Sequence, residues 1–358
     1  MKVVDADAHV AARSDEGVEL INTALTTWPD LFRRRTDGVP GIMIEGRPYP
    51  QVEGPGAGCP PGHGLLKVDG IDPLHLDGVL ADASRDGIED MVLFPGLGHF
   101  ALSIEDRSAS VGLARLYNEW LAAFCARSGG RLHGVGVLPV DFPDDAVAVV
   151  VQARELGLVA GLVPPAPRTG NLDSSRFDPV YRAAVKADLP LVVHGGPGIH
   201  LAKVGYDRFT NYVQVHSVSF PFEQMLAMTS LVSGGVFERH PQLRVALMEA
   251  GVGWVPYFVE RLTEHYELRG SWVPDGWQRP PVEYLRRGNL FVSCEPEESL
   301  LPAVVEHLGA DFIMFASDYP HWDSAWPNST KQLRTRTDLS DLDREKILAG
   351  NARRFYRL

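Results

Sequence analysis

The sequence predicts a (β/α)8 TIM barrel with a long insertion after its first strand. Three observations predict it. Eight short apolar segments recur along the chain, and helical patterns lie between them. Each segment is almost continuously apolar, as parallel strands buried on both faces are. No glycine-rich phosphate loop supports the competing architecture, a doubly wound open sheet.

The first strand is "VVDADAHV", Val3 to Val10. Alternate positions of a strand share a face, so Asp5, Asp7 and His9 face one way and Val4, Ala6 and Ala8 the other. Two carboxylates beside an imidazole in a core cost free energy unless a positive charge sits among them. About 65 residues, rich in Gly and Pro, then precede the helix that leads to the next strand at Met91. In a barrel this stretch, residues 11–75, leaves the active-site mouth, which predicts a lid or substrate wall; a structural excursion or an oligomer contact is the alternative.

The remaining strands read as "MVLFPG", "LHGVGVLPV", "VAGLVPP", "PLVVHGG", "LRVALMEAG", "LFVSCEP" and "FIMFASDYPH". Between them, "FPDDAVAVVVQARELG" carries Asp144 and Asp145 in its first turn and Gly157 as a stop, and "RFDPVYRAAVKAD" repeats the helical period. A second long connection, Gly196 to Pro221, follows strand 5 and carries His200 and His216 ahead of a helix. The helix "DLDREKILAGNARRFYRL" closes the chain. A single barrel domain over residues 1–358 accounts for the whole pattern.

A net charge of −12 and a pI of about 5.5 argue against nucleic acid or an anionic membrane as partner. Cys59, Cys125 and Cys294 form neither a disulfide framework nor a thiolate metal motif. No signal peptide pattern precedes the first strand, and no apolar run is long enough to span a bilayer. The expectation is a cytoplasmic protein with a small-molecule substrate, assembled as a homodimer, the commonest oligomer.

Barrel chemistry sits where strands end at the C-terminal face. That layer holds Asp7 and His9 on strand 1, His194 on strand 5, Glu249 on strand 6, Cys294 and Glu295 on strand 7, and Asp318 on strand 8. Singly, each has an ordinary explanation: His194 a hydrogen-bonded core histidine, Asp318 a turn residue before Pro320, Glu249 the partner of an arginine. Jointly, imidazole and carboxylate without thiolate point to one divalent ion: zinc, with manganese or iron(II) as alternatives. His216, His321 and His63 lie on mouth-side loops, with Arg47 and Arg168 as carboxylate clamps or solvated surface residues. Trp322 and Trp326 form an apolar wall or pack beneath the lid. His133 and His240 fall at strand starts, on the stability face; His75, His99, His200, His265 and His307 carry no motif.

Together "DADAH", "LVVHGG", "LMEAGVGWVPYFVERL", "FASDYPHWD" and "ILAGNARRFYRL" resemble the amidohydrolase superfamily. More narrowly they are similar to its amidohydrolase-related branch, which includes the aminocarboxymuconate-semialdehyde decarboxylase-like enzymes. The resemblance implies a metal-dependent barrel that is either a hydrolase or a non-oxidative decarboxylase. It implies metal ligation by Asp7, His9, His194 and Asp318, with Asp318 also moving protons. Two positions depart from the family pattern. Asp7 stands where His-x-His is commoner, and Glu249 stands where many decarboxylase-like relatives carry histidine.

Two chemistries follow. In the first, a metal-activated water attacks a small cyclic or aromatic substrate, Asp318 takes its proton, and Glu249 or His216 protonates the leaving group. In the second, the same site decarboxylates an aromatic or muconate-type acid, with Asp318 as the acid. Glu249 and the acidic ligand set favour hydrolysis; a positively charged clamp beside the metal favours decarboxylation. His321, Arg47 and His63 are the substrate-contact candidates. A non-catalytic scaffold is the third reading, opposed by the desolvation cost of so many polar strand ends.

Overall fold

All eight barrel strands form, in the order in which the sequence lists them. The computed structural model describes residues 2–10, 15–196, 201, 203–273 and 277–358. Barrel strand β1 is Val4–His9. A small antiparallel sheet follows, of β2 (Phe32–Arg34), β3 (Ile42–Ile44) and β4 (Arg47–Tyr49). The barrel continues with β5 (Asp90–Phe94), β6 (Leu132–Val137), β7 (Ala160–Val163), β8 (Leu191–Val193), β9 (Val245–Leu247), β10 (Leu290–Cys294) and β11 (Ile313–Phe315).

Sheet order is β1-β5-β6-β7-β8-β9-β10-β11, parallel throughout. The chain after β11 closes the ring: Asp318 N donates to Asp7 O at 3.1 Å, and His9 N to Tyr319 O at 2.6 Å. The ends of the first and last strands, which carry Asp7, His9 and Asp318, are therefore stitched together at the mouth.

Buried amides fasten helices to strand ends. Asn118 exchanges two bonds with the Val137 backbone, at 2.7 and 3.1 Å. Gln224 donates to Val193 O and Met248 O, at 3.1 and 2.8 Å, and so ties β8 to the end of β9. Asn351 donates to Ala310 O and Ile313 O, both at 2.7 Å. Each supplies partners that the low-dielectric core would otherwise lack. The last helix is not uniform as read from sequence. It runs α over Asp341–Glu345, π over Lys346–Gly350 and α over Asn351–Tyr356.

The insertion is structured. It carries the helix Asp15–Thr27 and the β2–β4 sheet; residues 11–14 lie outside the described set. The Glu45 carboxylate accepts from Glu105 N and Asp106 N at 2.9 Å, and Leu66 N donates to Pro320 O at 2.9 Å. These bonds bring the insertion over the strand ends. Among the described residues no helix is long and apolar enough to cross a membrane.

Candidate metal centre

Six side chains from four barrel strands meet at the mouth. Asp7 and His9 end β1, His194 follows β8, Glu249 follows β9, and Asp318 and His321 follow β11. Donor atoms of Asp7, His9 and His194 lie within 4.8 Å of one another, as do those of His9, Glu249, Asp318 and His321. His9 Nε2 is 3.5 Å from Asp7 Oδ1 and 3.2 Å from Asp318 Oδ1. His194 Nε2 is 3.7 Å from Asp7 Oδ2 and 2.6 Å from Glu249 Oε2. His321 Nδ1 is 2.6 Å from Asp318 Oδ1.

This donor set fits a divalent cation. Asp7 Oδ1 and Oδ2, His9 Nε2, His194 Nε2 and Glu249 Oε2 are all buried, yet none has a hydrogen-bond partner among the described residues. Native cores rarely leave so many polar atoms bare in one place unless a ligand satisfies them. His194 Nδ1 lies 2.5 Å from Gly195 O, so Nδ1 carries the hydrogen and Nε2 is left with a free lone pair. Nitrogen and carboxylate oxygen without sulfur is a borderline-to-hard set, suited to zinc, manganese or iron(II).

The electrostatics agree. Burial pushes His9 down to about 3, with the His321 charge adding to it. Burial likewise pushes His194 down to about 4. Both rings are neutral and able to ligate. Burial raises Asp7, as do the charges of Glu249, Asp318 and Asp5; burial and Asp318 raise Glu249. Three carboxyl groups cannot all ionise here without a positive ion. Burial also acts against ionised Asp318, but the charge and hydrogen bond of His321 and the His9 contact outweigh it and hold the acid low. His321 is the counterpart: against burial, the Asp318 charge and bond raise it to about 9.

A cavity of about 730 Å³ opens above the cluster. His9, His194, Glu249 and His321 form its polar floor; Tyr49, Phe100, Phe220 and Trp322 are among its aromatic walls. The insertion contributes Ile42, Tyr49 and the stretch around Cys59 to Leu65, and Tyr49 packs edge-on against Phe100 with centroids 3.8 Å apart.

The amidohydrolase family profile matches residues 4–358, essentially the full chain. The chain belongs to the amidohydrolase family. Among its relatives, gamma-resorcylate decarboxylase of Rhizobium radiobacter is 29% identical over 291 residues, 76% of this chain and 84% of that protein. The structure of 2,6-dihydroxybenzoate decarboxylase from Rhizobium covers 82% of this chain and 90% of its own, at 25% identity and a TM-score of 0.65. The 5-carboxyvanillate decarboxylase of Novosphingobium aromaticivorans, crystallised with manganese, shares the fold: 20% identity, TM-score 0.71, 100% of this chain and 96% of that one.

This amidohydrolase places its sequence-predicted residues unevenly. Asp7, His9, His194, Glu249, Asp318 and His321 converge. His216 lies within the helix Tyr212–Ser233, not on the loop before it, and faces the cavity against Phe220 with ring centroids 4.5 Å apart. Arg47 and His63 are not among the cavity-lining residues. Arg47 ends up beside two carboxylates of its own neighbourhood, Glu45 at 3.3 Å and Glu105 at 3.6 Å, and His63 sits exposed on a turn. Arg168 binds Asp141 at 3.2 Å and Ile104 O at 2.9 Å, so it serves packing. Trp322 lines the cavity, whereas Trp326 is buried and donates to Asp82 O at 3.1 Å. Cys294 is buried, and neither it nor Glu295 lines the cavity. His133 and His240 pair with Asp90 and Asp178, at 3.3 and 2.9 Å, as their stability-face positions predict. His200 lies outside the described residues.

Sequence reasoning missed His99, which lines the cavity with its ring centroid 5.2 Å from that of His194. His99 sits on the connection after β5, where no periodicity marks it.

Proposed function

We propose that this amidohydrolase is a metal-dependent non-oxidative decarboxylase of a hydroxylated aromatic acid. The observation that carries the reading is the cage of bare, buried donors at the floor of an aromatic-walled cavity, with the Asp318–His321 pair beside it. The named relatives act on aromatic acids by loss of a carboxyl group, which supports the second of the two chemistries raised by the sequence rather than hydrolysis. The departure at Glu249, which favoured hydrolysis on sequence, is outweighed by these relatives.

Asp7, His9, His194 and Asp318 would hold the ion, with Glu249 closing the cage. When bound, the ion supplies the positive charge that gathers the substrate's acidic oxygens. The aromatic walls align the ring, and the insertion excludes water from it. The Asp318–His321 pair stores the proton. His321 passes it to Asp318, which delivers it to the ring carbon; the carbon–carboxyl bond then breaks and carbon dioxide leaves. Solvent returns one proton to the pair, so each turnover exchanges CO2 for H at one carbon.

Manganese-loaded and zinc-loaded protein are offered ortho-hydroxylated benzoates, lactones and amides. The expected result is carbon dioxide release from the benzoates, reduced at least a thousandfold in Asp318→Asn. Turnover confined to lactones or amides contradicts the reading.

A further inference from the structure

The cavity above the metal cage is larger than a single aromatic acid requires. A space of about 150 Å³ holds one benzene ring. Here about 730 Å³ is open. An acid whose carboxylate sits at the cage covers the floor and leaves most of that volume above it.

Two rows of rings rise from His194. In one, the centroids of His194, Phe220, His216 and Trp322 are successively 6.4, 4.5 and 6.1 Å apart. The other runs along the short helix Leu97–Leu102. The His99 ring lies 5.2 Å from that of His194, and the next residue, Phe100, meets Tyr49 of the insertion at 3.8 Å. Strand pairing sets Ile42 opposite Tyr49, and Ile21 and Pro40 border the same cavity. The second row therefore leads away from the cage into an arm walled by the insertion.

This arm differs in chemistry from the floor. Among the described residues, those of the insertion that line the cavity, from Ile21 to Leu65, carry no charged side chain. The Tyr49 hydroxyl and the Cys59 thiol are their only polar side-chain groups. The insertion's arginines are engaged elsewhere: Arg35 with Asp37 and Pro50 O, Arg47 beside Glu45 and Glu105. A charged or polar substituent entering the arm would lose water without gaining a partner, whereas an apolar one is favoured by the same transfer.

We propose that the arm bordered by Ile42, Tyr49 and Phe100 is a specificity site for an apolar substituent of several carbon atoms, so that the substrate is a hydroxylated aromatic acid bearing an alkyl chain or a second ring away from its carboxylate. The proposal rests on the decarboxylase reading and narrows its substrate class. The substituent stands apart from the bond that breaks. It binds ground state and transition state alike, so it lowers KM and leaves kcat as it is.

The test is calorimetric binding to the manganese-loaded full chain. The probes are 2-hydroxybenzoate and its butyl and phenyl derivatives, substituted at ring position 4 or 5. Each methylene taken out of water tightens binding about three- to fourfold. At least one derivative is therefore expected to bind tenfold or more tightly than 2-hydroxybenzoate, and the butyl and phenyl arms tell a chain from a ring. Ile42, itself buried, is the variant site. Ile42→Asn is expected to shrink that ratio at least fivefold with metal content unchanged, and Ile42→Val to retain most of it. A gain below tenfold for every derivative in wild type overturns the proposal, and that arm needs no variant. So does a ratio that survives in folded, metal-replete Ile42→Asn. Failure of the underlying reading looks different: no aromatic acid loses carbon dioxide, while the preference for substituted acids and its dependence on Ile42 remain.

Discussion

Glu249 and Asp318 hold φ at +55° and +53°, where residues other than glycine are uncommon. Such a backbone costs about 1–2 kcal/mol and persists where surrounding bonds fix it, commonly at a working site. Here Glu249 N donates to Ser293 Oγ at 3.0 Å and Asp318 N to Asp7 O. Asp5, a neighbour of the cage on β1, plays a different part from Asp7 and His9. Its Oδ1 accepts from Ser317 N at 2.9 Å, and its Oδ2 meets Ser317 Oγ at 2.5 Å, fully buried. Asp5→Ala leaves both Ser317 groups bare and is predicted to cost about 2–3 kcal/mol in urea unfolding, with Asp5→Asn costing about half as much. Equal stability of all three proteins counts against this seam between the first and last strands. Metal uptake carries a pH sign as well. Asp7 and Glu249 lie above the ordinary carboxyl range without metal and must be anionic with it. Loading therefore releases protons, and affinity for manganese is predicted to rise with pH between 5 and 8, read by competition with a fluorescent chelator. Affinity flat across that range contradicts the account.

Elements differ in how much of them the sequence exposes. Buried parallel strands announce themselves through apolar runs such as "PLVVHGG", and their ends carry Asp7, His9, His194 and Asp318 into one layer, so the cage was legible before any coordinates. Loops carry no period. Whether Arg47 reaches substrate depends on which way a short strand turns, and it turns toward Glu45 and Glu105. His99 is invisible for the same reason, since only tertiary packing brings its ring beside His194. The insertion's path is likewise set by contacts distant in sequence. At Gly56 (φ +75°) an added Cβ would stand 2.1 Å from the Tyr206 ring, and Gly56 N donates to Phe209 O at 2.9 Å. Glycine is required there for both conformation and space. Gly56→Ala is predicted to lift the insertion from the loop after β8 that carries Tyr206 and Phe209, raising KM at least fivefold with metal content unchanged. An unaltered KM contradicts a wall role for the insertion.

At the scale of the whole molecule, a bound ion would be a structural as well as a chemical partner. Held by the converging donors, it would tie the ends of β1 and β11, already joined by backbone bonds, to the ends of β8 and β9 across the mouth. A ligand that binds only the folded chain adds about 2.7 kcal/mol at a hundredfold excess over its dissociation constant. Dialysis against chelator is predicted to lower the melting temperature by several degrees, and added manganese or zinc to restore it. A melting temperature indifferent to both contradicts a bound ion. The most direct measurement is metal analysis of the purified chain combined with anomalous diffraction at the metal's absorption edge. The account predicts one equivalent of a divalent metal per chain, with its anomalous peak in contact with Asp7, His9, His194 and Asp318. A chain that takes up no metal, or a peak lying away from these four side chains, contradicts it.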